Sequence, residues 1–183
     1  MDLQLEEKCA AVTGGSAGIG KMIALCLARE GVDVAICARS AGPLEAAAKE
    51  IAAETGRRIV PIAADLTITA EANNFIDKAA EALGRIDILV NNAGAAAGGV
   101  LESLSDEDWE SALQLKFFGY VRCMRAAIPY MRRQGGGRIV NLIGNDGVKH
   151  SYWEIAPGAA NAAGQNLTMS LAMQYGRENI SFC

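Results

Sequence analysis

The sequence predicts a single α/β domain over residues 1–183, a doubly wound parallel sheet with helices on both faces. Three observations predict it. Short apolar runs alternate with helical patterns along the whole chain, and those runs are apolar throughout rather than every second residue. That continuous pattern marks strands buried on both faces, which parallel sheets require. With 51% hydrophobic and only 5% aromatic residues, the core must be built from Ala, Val, Ile and Leu.

The elements follow in order. Cys9–Thr13 reads as the first buried strand. Ile19, Met22, Ile23, Cys26 and Leu27 then fall at i, i+3, i+4, i+7 and i+8, one face of a helix. Asp33–Ala38 is the second strand, and Leu44, Ala47, Ala48, Ile51 and Ala52 repeat the helical spacing. A third strand at Arg58–Ala63 leads to a helix over 70–83, and Asp87–Asn91 is the fourth strand. A long helix is expected over 105–134, broken by Gly135-Gly136-Gly137 before a fifth strand at Arg138–Ile143. After the segment Gly144–Gly158 comes a last helix to about 176, and Ile180–Cys183 starts a sixth strand.

Composition narrows the function classes. The net charge is −4 and no basic run exceeds two residues, which lacks the footprint of a nucleic-acid binder. The N-terminal stretch Met1–Glu7 is acidic, without the apolar region of a secretory signal, and no apolar run reaches bilayer length. Five scattered cysteines (Cys9, Cys26, Cys37, Cys123, Cys183) show no metal-like spacing and read as reduced thiols of a cytoplasmic protein.

Between the first strand and its helix lies Thr13-Gly14-Gly15-Ser16-Ala17-Gly18-Ile19-Gly20. Glycines there permit positive φ and close backbone approach, and a helix N-terminus offers free N–H groups to a pyrophosphate. This strand–turn–helix context predicts a Rossmann-type dinucleotide crevice.

The spacing Gly-x3-Gly-x-Gly after Thr13 resembles the short-chain dehydrogenase/reductase family, and other motifs agree across residues 5 to 183. They are Asn91-Asn92-Ala93-Gly94 closing the fourth strand, Ala64-Asp65-Leu66, Pro129 and Met131 ending the long helix, and Gly137–Asn141 leading the fifth strand. The resemblance implies a cofactor site formed by Gly14, Ser16, Ala17, Gly18, Ile19, Gly20, Asp65, Leu66, Asn92 and Gly94. It implies hydride exchange between a nicotinamide and a carbonyl or alcohol carbon, and a homodimer or homotetramer. It also implies elements beyond the sixth strand, so the last strands are expected to be missing. At the end of the second strand stands Ala38-Arg39-Ser40, a guanidinium and a hydroxyl with no carboxylate to repel a 2′-phosphate. Arg39 and Ser40 therefore favour NADP(H) over NAD(H).

The family's catalytic Asn, Ser, Tyr and Lys fall, by counting from these landmarks, on Lys116, Gly144, Pro157 and Asn161. None matches. Lys116 sits on the apolar stripe of the long helix, three after Leu113 and four before Tyr120. Two readings stand: an amine facing the crevice in partial replacement of the family lysine, or a lysine snorkelling to the surface. Tyr152 and His150, in the loop expected to border the nicotinamide, are candidate proton donors or plain solvated residues. Asn145-Asp146 reads first as a turn, with action near the carbonyl as the other reading. Two functions compete: an NADP(H)-dependent oxidoreductase with a non-standard proton donor, and a catalytically silent NADP-binding protein acting as redox sensor or partner subunit. A non-redox, lyase-like enzyme reusing the crevice stands third.

Overall fold

The computed structural model describes residues 3–94 and 97–183; Met1 and Asp2 of the acidic N-terminal stretch lie outside them. The strands are β1 (Cys9–Thr13), β2 (Asp33–Ala38), β3 (Ile59–Ala63), β4 (Ile88–Asn91), β5 (Gly137–Asn141) and β6 (Ile180–Phe182). They form one parallel six-stranded sheet in the order β3-β2-β1-β4-β5-β6. The order reverses between β1 and β4, and a doubly wound sheet opens its crevice at the carboxyl ends of strands at such a point.

Alternate strand residues feed two cores. Val12, Val34, Ile36 and Val90 pack under α1 (Gly18–Arg29) and α2 (Ala41–Thr55), through Ala24, Leu25, Leu44 and Ile51. Ala11, Cys37, Leu89 and Ile139 face α3 (Thr69–Leu83) and α5 (Gly119–Arg133), through Phe75, Ile76, Met124 and Met131. Leu167, Leu171 and Tyr175 of α6 (Ile155–Tyr175) pack against this second core. Burial pushes the Cys123 thiol up to about 12 and the Cys37 thiol further still, so both serve as neutral core groups.

Two elements differ from expectation. The single helix expected over 105–134 is α4 (Asp106–Leu113), a π-turn at Gln114–Phe118, and α5. A capping box between Ser105 and Asp108 starts α4. The π-turn inserts one residue, and the Gln114 carbonyl accepts from both the Gly119 N–H and Arg122 Nη1, the latter at 3.0 Å. Helix α6 begins at Ile155 rather than after Gly158, with Pro157 in its first turn, where a missing N–H breaks no helical hydrogen bond.

Candidate functional site

At the switch point the glycine turn leaves β1 and is tied down on both sides. Gly15 N–H donates to the Cys37 carbonyl of β2 at 3.0 Å. Across the crevice, the Asn92 and Ala93 N–H groups donate to the Thr13 hydroxyl at 2.8 and 2.9 Å, and Asn92 Nδ2 donates to the Thr13 carbonyl at 2.9 Å. Asn92, expected to meet cofactor, borders the larger of two adjoining clefts and also braces the ends of β1 and β4. Thr13, the partner of that brace, is signalled in the sequence only by heading the glycine run.

Two adjoining clefts share Gly14, Ala93 and Gly94. One, of about 260 Å³, is bordered by Ser16, Arg39, Ala64 and Leu66. The other, of about 490 Å³, is bordered by Ala17, Ile19, Gly20, Lys116 and Gly144. Gly18 lies at the turn with φ +56° and open space where a side chain would stand. Ala17 caps α1 without a side-chain hydrogen bond, and the first turn of α1 holds no acidic residue. Uncapped N–H groups, a bare glycine and the positive end of a helix dipole fit a pyrophosphate.

The remaining expected cofactor residues divide. Arg39 is an exposed residue on the smaller cleft, and Ser40 is exposed at the N-terminus of α2 without bordering either cleft. The Asp65 carboxylate accepts from the Thr67 N–H and hydroxyl at 2.9 and 2.7 Å. Those bonds hold the Asp65 carboxyl below its ordinary range, and the Arg39 charge adds to the effect.

Lys116 lies in the π-turn, half-buried, on the larger cleft. Its methylenes rest on Gly94, where a Cβ would stand 3.3 Å from Lys116 Cδ. The reading in which Lys116 faces the crevice is the one this placement supports. Arg122 sets the π-turn in place: beyond the Gln114 carbonyl, it donates to the Leu66 carbonyl at 3.1 Å, Thr69 Oγ1 at 3.0 Å and Gln114 Oε1 at 2.7 Å. Nothing in the local pattern around Arg122 signals that role.

Tyr152 and His150 are both exposed, Tyr152 at 83%, and neither borders the two clefts. Their loop is instead fastened to the segment after β4, where Gly99 N–H donates to the Trp153 carbonyl at 2.6 Å. The turn expected at Asn145-Asp146 is present as a single 3-10 turn, Asn145–Gly147. Its Asp146 carboxylate accepts from Asn161 Nδ2 of α6 at 2.8 and 2.9 Å, and Asn161 Oδ1 accepts from the Gly144 N–H at 3.0 Å. Asn161 is 1% exposed. In the sequence, the one polar residue within Ala159-Ala160-Asn161-Ala162-Ala163 is the only signal of this contact.

The crevice, its glycine turn and the sheet order around them match one family. The sequence model of the short chain dehydrogenases matches residues 8–183. The chain belongs to this family. Peroxisomal 2,4-dienoyl-CoA reductase of Rattus norvegicus is 32% identical over 179 residues, covering 96% of this chain and 60% of that protein. Among solved structures, L-sorbose reductase of Gluconobacter frateurii, complexed with NADPH and L-sorbose, superposes with a TM-score of 0.95 at 30% identity, covering 98% of this chain and 68% of that one. An NAD+-bound xylitol dehydrogenase gives 0.94 at 29% identity, with 98% and 69% covered. The chain spans 75% of an uncharacterized oxidoreductase of Staphylococcus epidermidis, 59% to 60% of the peroxisomal 2,4-dienoyl-CoA reductases and 31% of the peroxisomal multifunctional enzyme type 2 of Drosophila melanogaster. Its relatives support an oxidoreductase that uses a nicotinamide dinucleotide. No helix among the described residues is long and apolar enough to cross a membrane.

Proposed function

We propose that the protein is an NADP(H)-dependent oxidoreductase acting on a carbonyl or alcohol substrate, with a non-standard proton donor. The observation that carries the reading is the pair of adjoining clefts: a phosphate-fitting glycine turn between a guanidinium at one end and an ammonium at the other. A bound nicotinamide supplies two-electron exchange with the substrate carbon, and the chain supplies position, charge and proton handling.

Arg39, with Ser40 beside it in sequence and Ser16 on the same cleft, would hold the 2′-phosphate, since among the described residues no carboxylate borders the smaller cleft to repel it. Arg39→Ala should weaken NADPH binding roughly 10- to 100-fold while leaving NADH binding within a factor of about two. Fluorescence titration with the two dinucleotides checks it; tighter binding of NADH than NADPH by the unaltered protein would reverse the cofactor assignment.

Lys116 would stabilise negative charge developing on the substrate oxygen across the larger cleft. Lys116→Met keeps the stem that rests on Gly94 and removes only the charge. Turnover should fall roughly 10- to 100-fold with NADPH affinity unchanged. Unchanged turnover would leave the lysine a packing residue.

A catalytically silent NADP-binding protein is the second reading, favoured by Gly144, Pro157 and Asn161 at the positions where the family resemblance expects Ser, Tyr and Lys. Monitoring NADPH absorbance against ketones and aldehydes, and NADP+ reduction against alcohols, separates the two. Binding without turnover across the whole panel selects the silent protein. The apolar groove between α5 and α6, bordered by Val121, Ile128, Leu167 and Leu171, supports a homodimer or homotetramer. The five free thiols are consistent with a cytoplasmic setting.

A further inference from the structure

Exchange between an alcohol and a carbonyl needs a proton as well as two electrons. Of the described residues bordering the larger cleft, only Lys116 carries a titratable side chain. Directly behind another of its walls stands a carboxylate. A Cβ on Gly144 would lie 2.2 Å from Asp146 Oδ1 and 2.5 Å from Asn161 Nδ2, so the volume of a side chain at 144 is already filled by these groups. The carboxylate reaches that place only because residue 144 has no side chain. Asp146 is half-buried, and among the described residues the one side chain bonded to its carboxylate is the buried Asn161 amide. Asn161 is itself fixed by the Gly144 N–H at 3.0 Å. The group is therefore oriented from two elements, the turn after β5 and the first turns of α6, while lone pairs of both oxygens stay available.

We propose that Asp146, aimed by Asn161 through the gap left by Gly144, is the residue that exchanges the proton with the substrate oxygen; this rests on the oxidoreductase reading. In the oxidising direction the substrate O–H bond breaks and its proton passes to a carboxylate oxygen of Asp146. The carbinol C–H bond breaks, its hydrogen and electron pair passing together as hydride to the oxidised dinucleotide, and the C–O bond becomes C=O. In the reducing direction the protonated Asp146 returns the proton to the oxygen as the carbonyl carbon accepts hydride from the reduced dinucleotide. Lys116, which borders the cleft, acts on the oxygen as charge and not as proton carrier.

The test compares Asp146→Asn and Asp146→Ala with the unaltered protein, on the most rapidly converted member of the ketone, aldehyde and alcohol panel. Asp146→Asn keeps an oxygen for the Asn161 bond and should lose turnover by roughly 100-fold or more. Its NADPH dissociation constant should stay close to that of the unaltered protein, with the melting temperature lower by only several degrees. Added formate, a small soluble acid and base, should restore part of the turnover of Asp146→Ala. Turnover of Asp146→Asn within about threefold of the original would overturn the proposal. So would loss of NADPH affinity in step with turnover and no formate rescue, the mark of a carboxylate that only shapes the turn. If the unaltered protein binds NADPH and converts nothing, the oxidoreductase reading itself fails, an outcome these variants do not produce.

Discussion

Gly20→Val is expected to abolish NADP(H) binding and to lower the melting temperature by roughly 10 °C. Gly20 sits in the first turn of α1, buried against the turn it has just left. A Cβ there would stand 2.2 Å from the Gly14 carbonyl oxygen, 2.8 Å from its carbon and 2.4 Å from Asn92 Nδ2. Two of those three atoms are backbone and cannot rotate away. The third belongs to the amide that bonds the Thr13 carbonyl at 2.9 Å, so moving it undoes the brace between β1 and β4. Either α1 shifts outward, carrying its free N–H groups away from the cleft, or the turn at Gly14 is displaced. Overpacking of this kind costs up to about 3 kcal/mol, and each kcal/mol moves the transition of a domain this size by ~2–4 °C. Gly18→Ala is the natural control. Its Cβ enters open space, so the cost is confined to a left-handed backbone, about 1 kcal/mol. Calorimetry and NADPH fluorescence on both variants check the contrast. A Gly20→Val protein that melts where the original does would show that α1 and the Gly14 turn are not locked together.

The sheet and the glycine turn were legible because each rests on a local pattern. Strands buried on both faces are apolar along their centres, and here β1, β2 and β4 are, with polar residues only at their ends, Thr13, Asp33 and Asn91. The turn is read from spacing, since a strand end, three glycines and an amphipathic helix occur within a few residues of one another. The π-turn was not legible. Its single extra residue leaves the apolar stripe of 105–134 nearly in phase, and what holds it is Arg122 reaching to Gln114 and Leu66. The start of α6 was misplaced for a related reason. Pro157 and Gly158 look like helix breakers, yet in a first turn the proline's missing N–H has no partner to lose.

The candidate site followed the same division. Arg39 and Lys116 fall where pattern places them, at a strand end and on a helix stripe, and both border the clefts. His150 and Tyr152 were nominated by residue type within a loop, and loops take their course from tertiary contacts. Here the bridge between Gly99 and Glu154 holds that loop against the segment after β4. Asp146 and Asn161 stand 15 residues apart in separate elements, and only the packing of α6 onto the turn brings them together.

That pairing leads to the second large effect: Asn161→Leu should destabilise the protein by about 3 kcal/mol. The substitution nearly conserves volume and removes every polar atom. It strips the Gly144 N–H of its acceptor and the Asp146 carboxylate of the amide that donates to both its oxygens. A hydrogen bond to a charged group contributes about 1.5–3 kcal/mol, and a buried N–H left unpaired adds its own cost. The carboxylate must then swing to solvent. That motion pulls on Gly147, whose Cα faces the Asn161 backbone so closely that a Cβ would meet it at 2.8 Å. Asn161→Asp separates charge from shape. It sets a second carboxylate against Asp146, and two adjacent carboxylates raise the pKa of one of them in the folded state. A folded-state pKa above the unfolded value means stability is retained at low pH and lost as pH rises through that value. Asn161→Asp should therefore approach the original stability near pH 4 and fall well below it at pH 8. Urea unfolding of both variants at the two pH values measures this. A cost for Asn161→Asp that does not change with pH would mean that Asp146 does not share its site with residue 161.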